Sequence, residues 1–219
     1  MNAVMRGLFI TFEGIEGSGK STLINNVAAA LRKSGLDPIV TREPGGTSLG
    51  VALRKVLLSP DMGVIEPKAE LMMFAADRAQ HVSELILPAL EKGKIVLCDR
   101  YSDATVAYQG YGRGLPLDVI KVVDMKARDG AVPDLTVLLD LPVERGLSRV
   151  RKRNDLSKDI SESRIDEEET AFHQRVRDGY LAMARIEPAR FLVLDAMIDP
   201  EHLTDLVMDE LRSRYHNEL

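Results

Sequence analysis

Five short apolar runs punctuate the chain: Leu8–Phe12, Leu36–Val40, Lys94–Cys98, Leu135–Leu141 and Arg190–Leu194. None alternates strictly, which is the pattern of strands covered on both faces. Longer segments with apolar residues at helical steps separate them, so the chain reads as β-α repeated. That order predicts an α/β fold, with a five-stranded, mostly parallel sheet between two helical layers in a three-layer α/β/α arrangement. Between Pro67 and Glu91, residues Met72, Ala76, Ala79, Val82, Ile86 and Leu90 fall at helical steps. Pro88 is expected to kink or end that helix, and Gly93 to stop it. Pro200 to Tyr215 reads as a C-terminal helix. Residues 149–169 are strongly charged, poor in apolar positions and without caps. They are expected to form a flexible lid, with the helical pattern resuming at Phe172. No repeat or low-complexity tract divides the chain, so residues 1–219 are expected to form one domain.

Polar residues follow nearly every predicted strand: Glu13, then Thr41-Arg42-Glu43, then Asp99-Arg100, and Asp195. Open α/β sheets bind ligands beyond the carboxyl ends of their strands, so these groups are expected along one functional edge. At the first of those ends, Gly14-Ile15-Glu16-Gly17-Ser18-Gly19-Lys20-Ser21 fits G-x-x-x-x-G-K-[ST]. It follows a strand and opens a helix running through Leu31, the context that separates a phosphate-binding P-loop from a Gly-rich turn. Its glycines let backbone N–H groups turn toward phosphates, and the helix N-terminus favours the anion. The ATP-binding set is then Gly14 to Thr22, with Lys20 reaching the β/γ oxygens and Ser21 binding Mg²⁺.

P-loops serve GTPase switches, mechanical ATPases and small-molecule kinases. A guanine-reading N-K-x-D element is absent, and no apolar strand ends in the Asp-Glu pair common in motor ATPases. Asp99 instead ends a strand, where it could hold Mg²⁺ through water while Arg100 clamps a second phosphate. By itself the Asp99-Arg100 pair reads equally well as a surface ion pair.

Composition narrows the partners. The net charge of −5 argues against a nucleic-acid backbone as standing partner, while leaving room for a small phosphorylated ligand. Cys98 is the only cysteine, and the four histidines lack metal-ligand spacing. The apolar run beginning at Leu8 is too short for a signal h-region, and no run approaches membrane-spanning length. A cytoplasmic enzyme is the expectation.

Further motifs carry a family resemblance. These are Phe12-Glu13-Gly14 with the P-loop, Thr41-Arg42-Glu43-Pro44-Gly45-Gly46-Thr47, Phe74 with Asp77-Arg78, Asp99-Arg100-Tyr101, and Tyr108-Gln109-Gly110-Tyr111-Gly112-Arg113-Gly114. In that order, from Leu8 to about Tyr180, the chain resembles the bacterial thymidylate kinases, nucleoside monophosphate kinases with a P-loop kinase fold. The resemblance implies transfer of the γ-phosphoryl group of ATP to dTMP with Mg²⁺, and a homodimer. Phe74 and Arg78 are four apart on a predicted helix and share a face. The resemblance puts them on thymine, although Phe74 by itself reads more readily as core packing. It also puts Thr105 and Gln109 near the base and Tyr108 against the sugar, where a 2′-hydroxyl would sit. Arg42 and Arg100 would converge on the acceptor phosphate, an anion suited to planar bidentate donors. Glu16, a carboxylate inside a phosphate loop, must face elsewhere; the family analogy gives it the sugar 3′-hydroxyl.

The same resemblance places a transition-state arginine in the lid, where Arg149 and Arg153 share a helical face and Arg151 points away. Residue-by-residue carry-over ends there, because the 154–163 stretch is longer than the family pattern leads one to expect. Since the nucleophile is already an anionic phosphate oxygen, no general base is required. Catalysis should come from positioning and charge neutralisation by Lys20, Arg100, a lid arginine and the metal. Lys20→Ala should therefore remove most turnover in a coupled ADP-release assay while circular dichroism shows an intact fold.

Overall fold

The computed structural model describes residues 6–156 and 164–215. In chain order, β1 (Phe9–Glu13) leads into α1 (Lys20–Lys33), and β2 (Ile39–Arg42) is followed by α2 (Ser48–Leu58) and a 3₁₀ turn at Pro60–Met62. Next come α3 (Pro67–His81), a π turn at Val82–Ile86, α4 (Leu87–Glu91) and β3 (Val96–Asp99). Then α5 (Ser102–Thr105) runs into a second π segment at Val106–Gly112, before α6 (Leu117–Arg128) and β4 (Leu135–Asp140). The chain closes with α7 (Val143–Leu156), α8 (Thr170–Ile186), β5 (Phe191–Asp195) and α9 (Pro200–Tyr215). All five strands are parallel, in the order β2-β3-β1-β4-β5, with helices on both faces. Ile10, Phe12 and Leu97 enter one core with α1, α8 and α9, whereas Phe9, Val96 and Cys98 enter a second with Val82, Ile86 and Leu90.

Except for β4, which starts at Leu135 as its run does, the strands sit slightly C-terminal to the apolar runs. Glu13 pairs with Leu138, Arg42 with Asp99, and Asp140 with Asp195 inside the ladder. A parallel ladder is made by backbone groups, so a polar side chain does not end it when that side chain has a partner of its own. β2 departs most, because Leu36 belongs to the end of α1. With Gly35 at φ 86, the N–H of Leu36 bonds the Leu31 carbonyl (3.1 Å) and the N–H of Gly35 bonds that of Arg32 (3.0 Å). That is a Schellman cap, and it uses the apolar residue that otherwise reads as a strand start.

Pro88 neither ends nor sharply interrupts its helix. The N–H of Leu87 bonds Val82, five residues back, and this widened turn absorbs the ring of a residue that has no N–H to give. The first part of the expected lid is helical. Arg149 to Leu156 continue α7, whose Val143 and Val150 are buried two helical turns apart. Residues 157–163 of the expected lid lie outside the described residues. Glycines let α7 approach the phosphate loop: a Cβ on Gly146 would lie 2.5 Å from the Glu16 carbonyl, and one on Gly17 2.4 Å from that of Gly146.

Candidate active site

β1 delivers the chain into the phosphate loop, and α1 opens at Lys20 directly after Gly19, which is held at φ 94. The ammonium of Lys20 is nearly buried and donates to the carbonyls of Gly14 and Ile15, each at 3.0 Å. Burial first, then the charge of Arg100, pulls it below the ordinary lysine range. The Ile15 side chain sits in the core and Ser18 is buried, so Gly14, Ile15 and Ser18 shape the loop from behind.

The remaining expected residues all line one cleft of about 1070 Å³. Glu16, Gly17, Gly19, Lys20, Ser21 and Thr22 come from the loop and the start of α1. Arg42, Asp99 and Arg100 come from strand ends, Phe74 and Arg78 from α3, and Thr105, Tyr108 and Gln109 from the α5–π segment. Arg149 and Arg153 enter from α7, whereas Arg151 is exposed and outside the lining.

Arg100 takes a left-handed backbone (φ 67), a conformation that costs a residue with a Cβ about 1–2 kcal/mol. Its N–H bonds the Phe12 carbonyl at 3.0 Å, and its guanidinium donates to the Gly14 carbonyl (3.0 Å), the Tyr180 hydroxyl (3.2 Å) and Glu16 Oε1 (2.9 Å). Glu16 Oε1 also accepts from the Tyr108 hydroxyl at 2.5 Å, and Arg100 stacks on the Tyr108 ring at 4.8 Å. His173, fully buried, brings Nδ1 to 3.2 Å from Glu16 Oε2, close but not aligned as a hydrogen bond. Burial alone would raise the Glu16 carboxyl, but Arg100, His173, Lys20 and Tyr108 outweigh it and hold the group down to about 2. Glu13 behaves oppositely: burial and the nearby Asp103 push it above the usual carboxylate range. It accepts from the Tyr101 N–H (2.8 Å) and the Tyr180 hydroxyl (2.6 Å), which fixes the ring that supports Arg100.

At the α3 side, Arg78 is 2% exposed. Nε donates to Glu43 at 3.0 Å, Nη1 to Thr105 Oγ1 (2.9 Å) and to Asp124 (3.1 Å), and Nη2 lies 2.9 Å from Glu43. A guanidinium carries five N–H groups, so one hydrogen on Nη2 stays uncommitted among the described residues. Thr105 accepts from Arg78, which leaves its own hydroxyl proton to donate. His81 closes the far side of Glu43 with Nδ1 at 2.9 Å, while its Nε2 meets Thr41 Oγ1 at 2.8 Å.

Sequence reasoning missed Arg54, His173 and Tyr180. Arg54 lines the cleft and donates to the Pro44 carbonyl at 2.9 Å. Burial and repulsion from Arg42 and Arg100 lower its pKa, so three guanidinium groups crowd one region, as an anion site requires. The signal was present: Arg54 lies four residues after Gly50 and three before Leu57, the two buried positions of α2. A charge on a helix's buried face needs a purpose. His173 and Tyr180 likewise sit on the buried face of α8 and read as core until Glu16 and Glu13 are seen beside them.

For a metal, the donor set is small and hard. Ser21 Oγ donates to Asp99 Oδ2 at 3.0 Å, so a hydroxyl and a carboxylate face one another in the cleft. No cluster of three or more His, Cys, Asp or Glu occurs among the described residues. That pair fits Mg²⁺, which takes one or two protein oxygens and completes its shell with phosphate and water. No helix among the described residues is long and apolar enough to cross a membrane.

The family model for thymidylate kinases matches residues 12–207. The chain is 52% identical over 207 residues to a thymidylate kinase of Trichlorobacter lovleyi, covering 94% of this chain and 98% of the relative. It is 56% identical over 192 residues to one from Halothermothrix orenii, covering 88% and 90%. The crystal structure of thymidylate kinase from Ehrlichia chaffeensis superposes with a TM-score of 0.76 at 31% identity, covering 94% of this chain and 99% of that one.

The electrostatics of Glu16 set a pH dependence. Its carboxyl titrates lower folded than unfolded, so its stabilising contribution is complete above 4.5 and is lost as pH falls toward about 2. The difference in Tm between the wild type and Glu16→Gln should therefore shrink across that window in a thermal-melt series. A constant difference would refute the assignment.

Proposed function

The chain belongs to the thymidylate kinase family of nucleoside monophosphate kinases, and on that premise we propose how its cleft joins ATP to dTMP. One observation carries the reading: the phosphate loop with Lys20 and the Arg42–Arg54–Arg100 cluster open into the same cleft as Phe74, Arg78 and Gln109. Two anions are thereby gathered end to end, each by its own cations.

The backbone from Gly14 to Thr22 cradles the ATP phosphates, and Lys20 exchanges its bonds to loop carbonyls for phosphate oxygens. Ser21 and Asp99 would hold Mg²⁺, which when bound would supply charge neutralisation on the phosphates. Arg42, Arg54 and Arg100 grip the acceptor phosphate and align its oxygen for in-line attack. Because like charges must approach, this neutralisation and alignment supply the rate enhancement, and no residue needs to remove a proton. Arg149 and Arg153 are positioned from α7 to reach the transferring group. Arg149 is tied to the Gly17 carbonyl at 3.2 Å, whereas Arg153 is 60% exposed in its side chain and only loosely paired with Asp166 at 3.7 Å. Arg153 is therefore the readier of the two to turn onto phosphate.

Thymine stacks on Phe74, with O4 taking the uncommitted N–H of Arg78 and N3–H donating to the Gln109 amide oxygen. Glu16 accepts from the 3′-hydroxyl, and the Tyr108 ring fills the space of a 2′-hydroxyl, which selects deoxyribose. A cytoplasmic location is consistent with a substrate pair of free nucleotides.

We also assign a homodimer. Helices α2, α3 and α6 pack side by side and leave Val51, Met72, Val122 and Met125 about half exposed, an apolar face suited to a second copy. Light scattering should return twice the protomer mass; a single-protomer mass would exclude it.

Coupled ADP release should show preference for dTMP over dUMP, dCMP, UMP and thymidine, and ATP hydrolysis indifferent to added monophosphate would overturn the proposal. Arg54→Ala should raise KM for dTMP by roughly tenfold to a hundredfold, the worth of one charge-assisted hydrogen bond, with a smaller change in kcat.

A further inference from the structure

Beneath the base-reading side chains lies Glu70 on α3, a carboxylate only 1% exposed. Its Oε1 accepts from Gln109 Nε2 at 2.9 Å and from Arg113 Nε at 3.1 Å. Its Oε2 accepts from Arg113 Nη2 at 3.3 Å and from Arg164 Nη2. Burial alone would raise this carboxyl, but the bonds from Arg113, Arg164 and Gln109 outweigh it and hold it below the ordinary glutamate range. Arg164 is anchored in turn to the Leu57 carbonyl at 3.2 Å, and Arg113 to Glu168 at 2.5 Å. Glu70 is therefore ionised and fixed from three sides.

We infer that Glu70 is the positioning residue that makes the base pocket select a ring bearing N3–H, by locking the orientation of the Gln109 amide. The inference rests on the base-binding role given to Gln109 above. An ionised carboxylate can only accept hydrogen bonds, so the Gln109 NH₂ must turn toward it. The amide oxygen is then left facing the cleft, and among the described residues it has no donor. Thymine and uracil present a donor at N3 between two carbonyls; cytosine presents a lone pair at N3 and an amino group at C4. A free Gln could serve either ring by rotating its amide through 180°. Held by Glu70, it serves only the first, and cytosine sets its lone pair against a carbonyl oxygen. Sites built this way reject the mismatched partner strongly, because a buried polar group is left unpaired.

Glu70→Gln tests the lock without changing shape. The new NH₂ avoids the Oε2 position, where two guanidinium groups donate, and takes the Oε1 position, where only one does. Gln109 can then rotate its oxygen toward that NH₂ and present its own NH₂ to the cleft. The kcat/KM ratio of dTMP to dCMP should fall by at least about tenfold, carried mainly by KM, with an absolute gain in dCMP turnover. A merely structural Glu70 would lower both substrates together, and an equal fall, or an unchanged ratio, overturns the inference. If Glu70→Gln does not fold, Glu70→Asp keeps the charge for Arg113 and Arg164 while withdrawing it from Gln109. It should lower the same ratio, and an unchanged ratio there is equally adverse. A wild-type enzyme turning over dTMP with no preference over dCMP would instead remove the base-pocket reading, and the inference with it.

Discussion

Like charges repel, and this cleft gathers eight lysine and arginine side chains in one lining. The repulsion adds to burial at Arg54, lowered first by burial and then by Arg42 and Arg100, and at Lys20, lowered by burial and Arg100. The chain answers with carboxylates paired to the cations: Glu16 with Arg100, and Glu43 and Asp124 with Arg78. Each such pair is costly to desolvate, so its worth lies less in stability than in holding a guanidinium in one geometry. An overall charge of −5 is compatible with an anion-binding cleft because eight lysine and arginine side chains line that cleft against five carboxylates.

That arrangement requires side chains to leave the backbone at unusual angles, and the irregular segments supply them. The left-handed turn at Arg100 points its guanidinium back over the phosphate loop, where Gly14, Glu16 and Tyr180 receive it. The π segment at Val106–Gly112 widens the helix at Tyr108 and Gln109; the Arg113 N–H bonds Tyr108, five residues back, at 2.8 Å. From this segment Tyr108 reaches Glu16 and Gln109 reaches Glu70. The close passage of Gly17 and Gly146 brings α7 near enough to add Arg149 and Arg153 to the lining. Local strain of this kind persists only where packing over-determines it, and here a large core lies beneath the sheet edge.

Much of this was legible in the residues. Five apolar runs separated by helical periods are enough for a parallel α/β sheet, because burial on both faces removes alternation and parallel pairing demands crossover helices. The phosphate loop was legible because its glycines, lysine and serine act through contiguous backbone. The same holds for α9, whose expected span of Pro200 to Tyr215 is the observed one. Where the expectation slipped, a local hydrogen bond had claimed a residue: Leu36 by the cap of α1 and Leu87 by the turn before Pro88.

What the sequence by itself determined, then, is whatever depends on neighbours along the chain: the strand and helix order, the phosphate loop, and the motifs that identify the family. Only the tertiary structure decided which carboxylate stands behind which guanidinium. Glu16 meets Arg100 and Tyr108 across more than eighty residues, Arg78 meets Glu43 across 35, and Glu70 meets Gln109 across 39. Periodicity marks such residues as buried or exposed but says nothing of their partners, because charge pairing over those separations is set by how the sheet edge folds together. For that reason His173, Tyr180 and Glu70 read as ordinary helix positions until the folded chain brings their partners within a few ångströms.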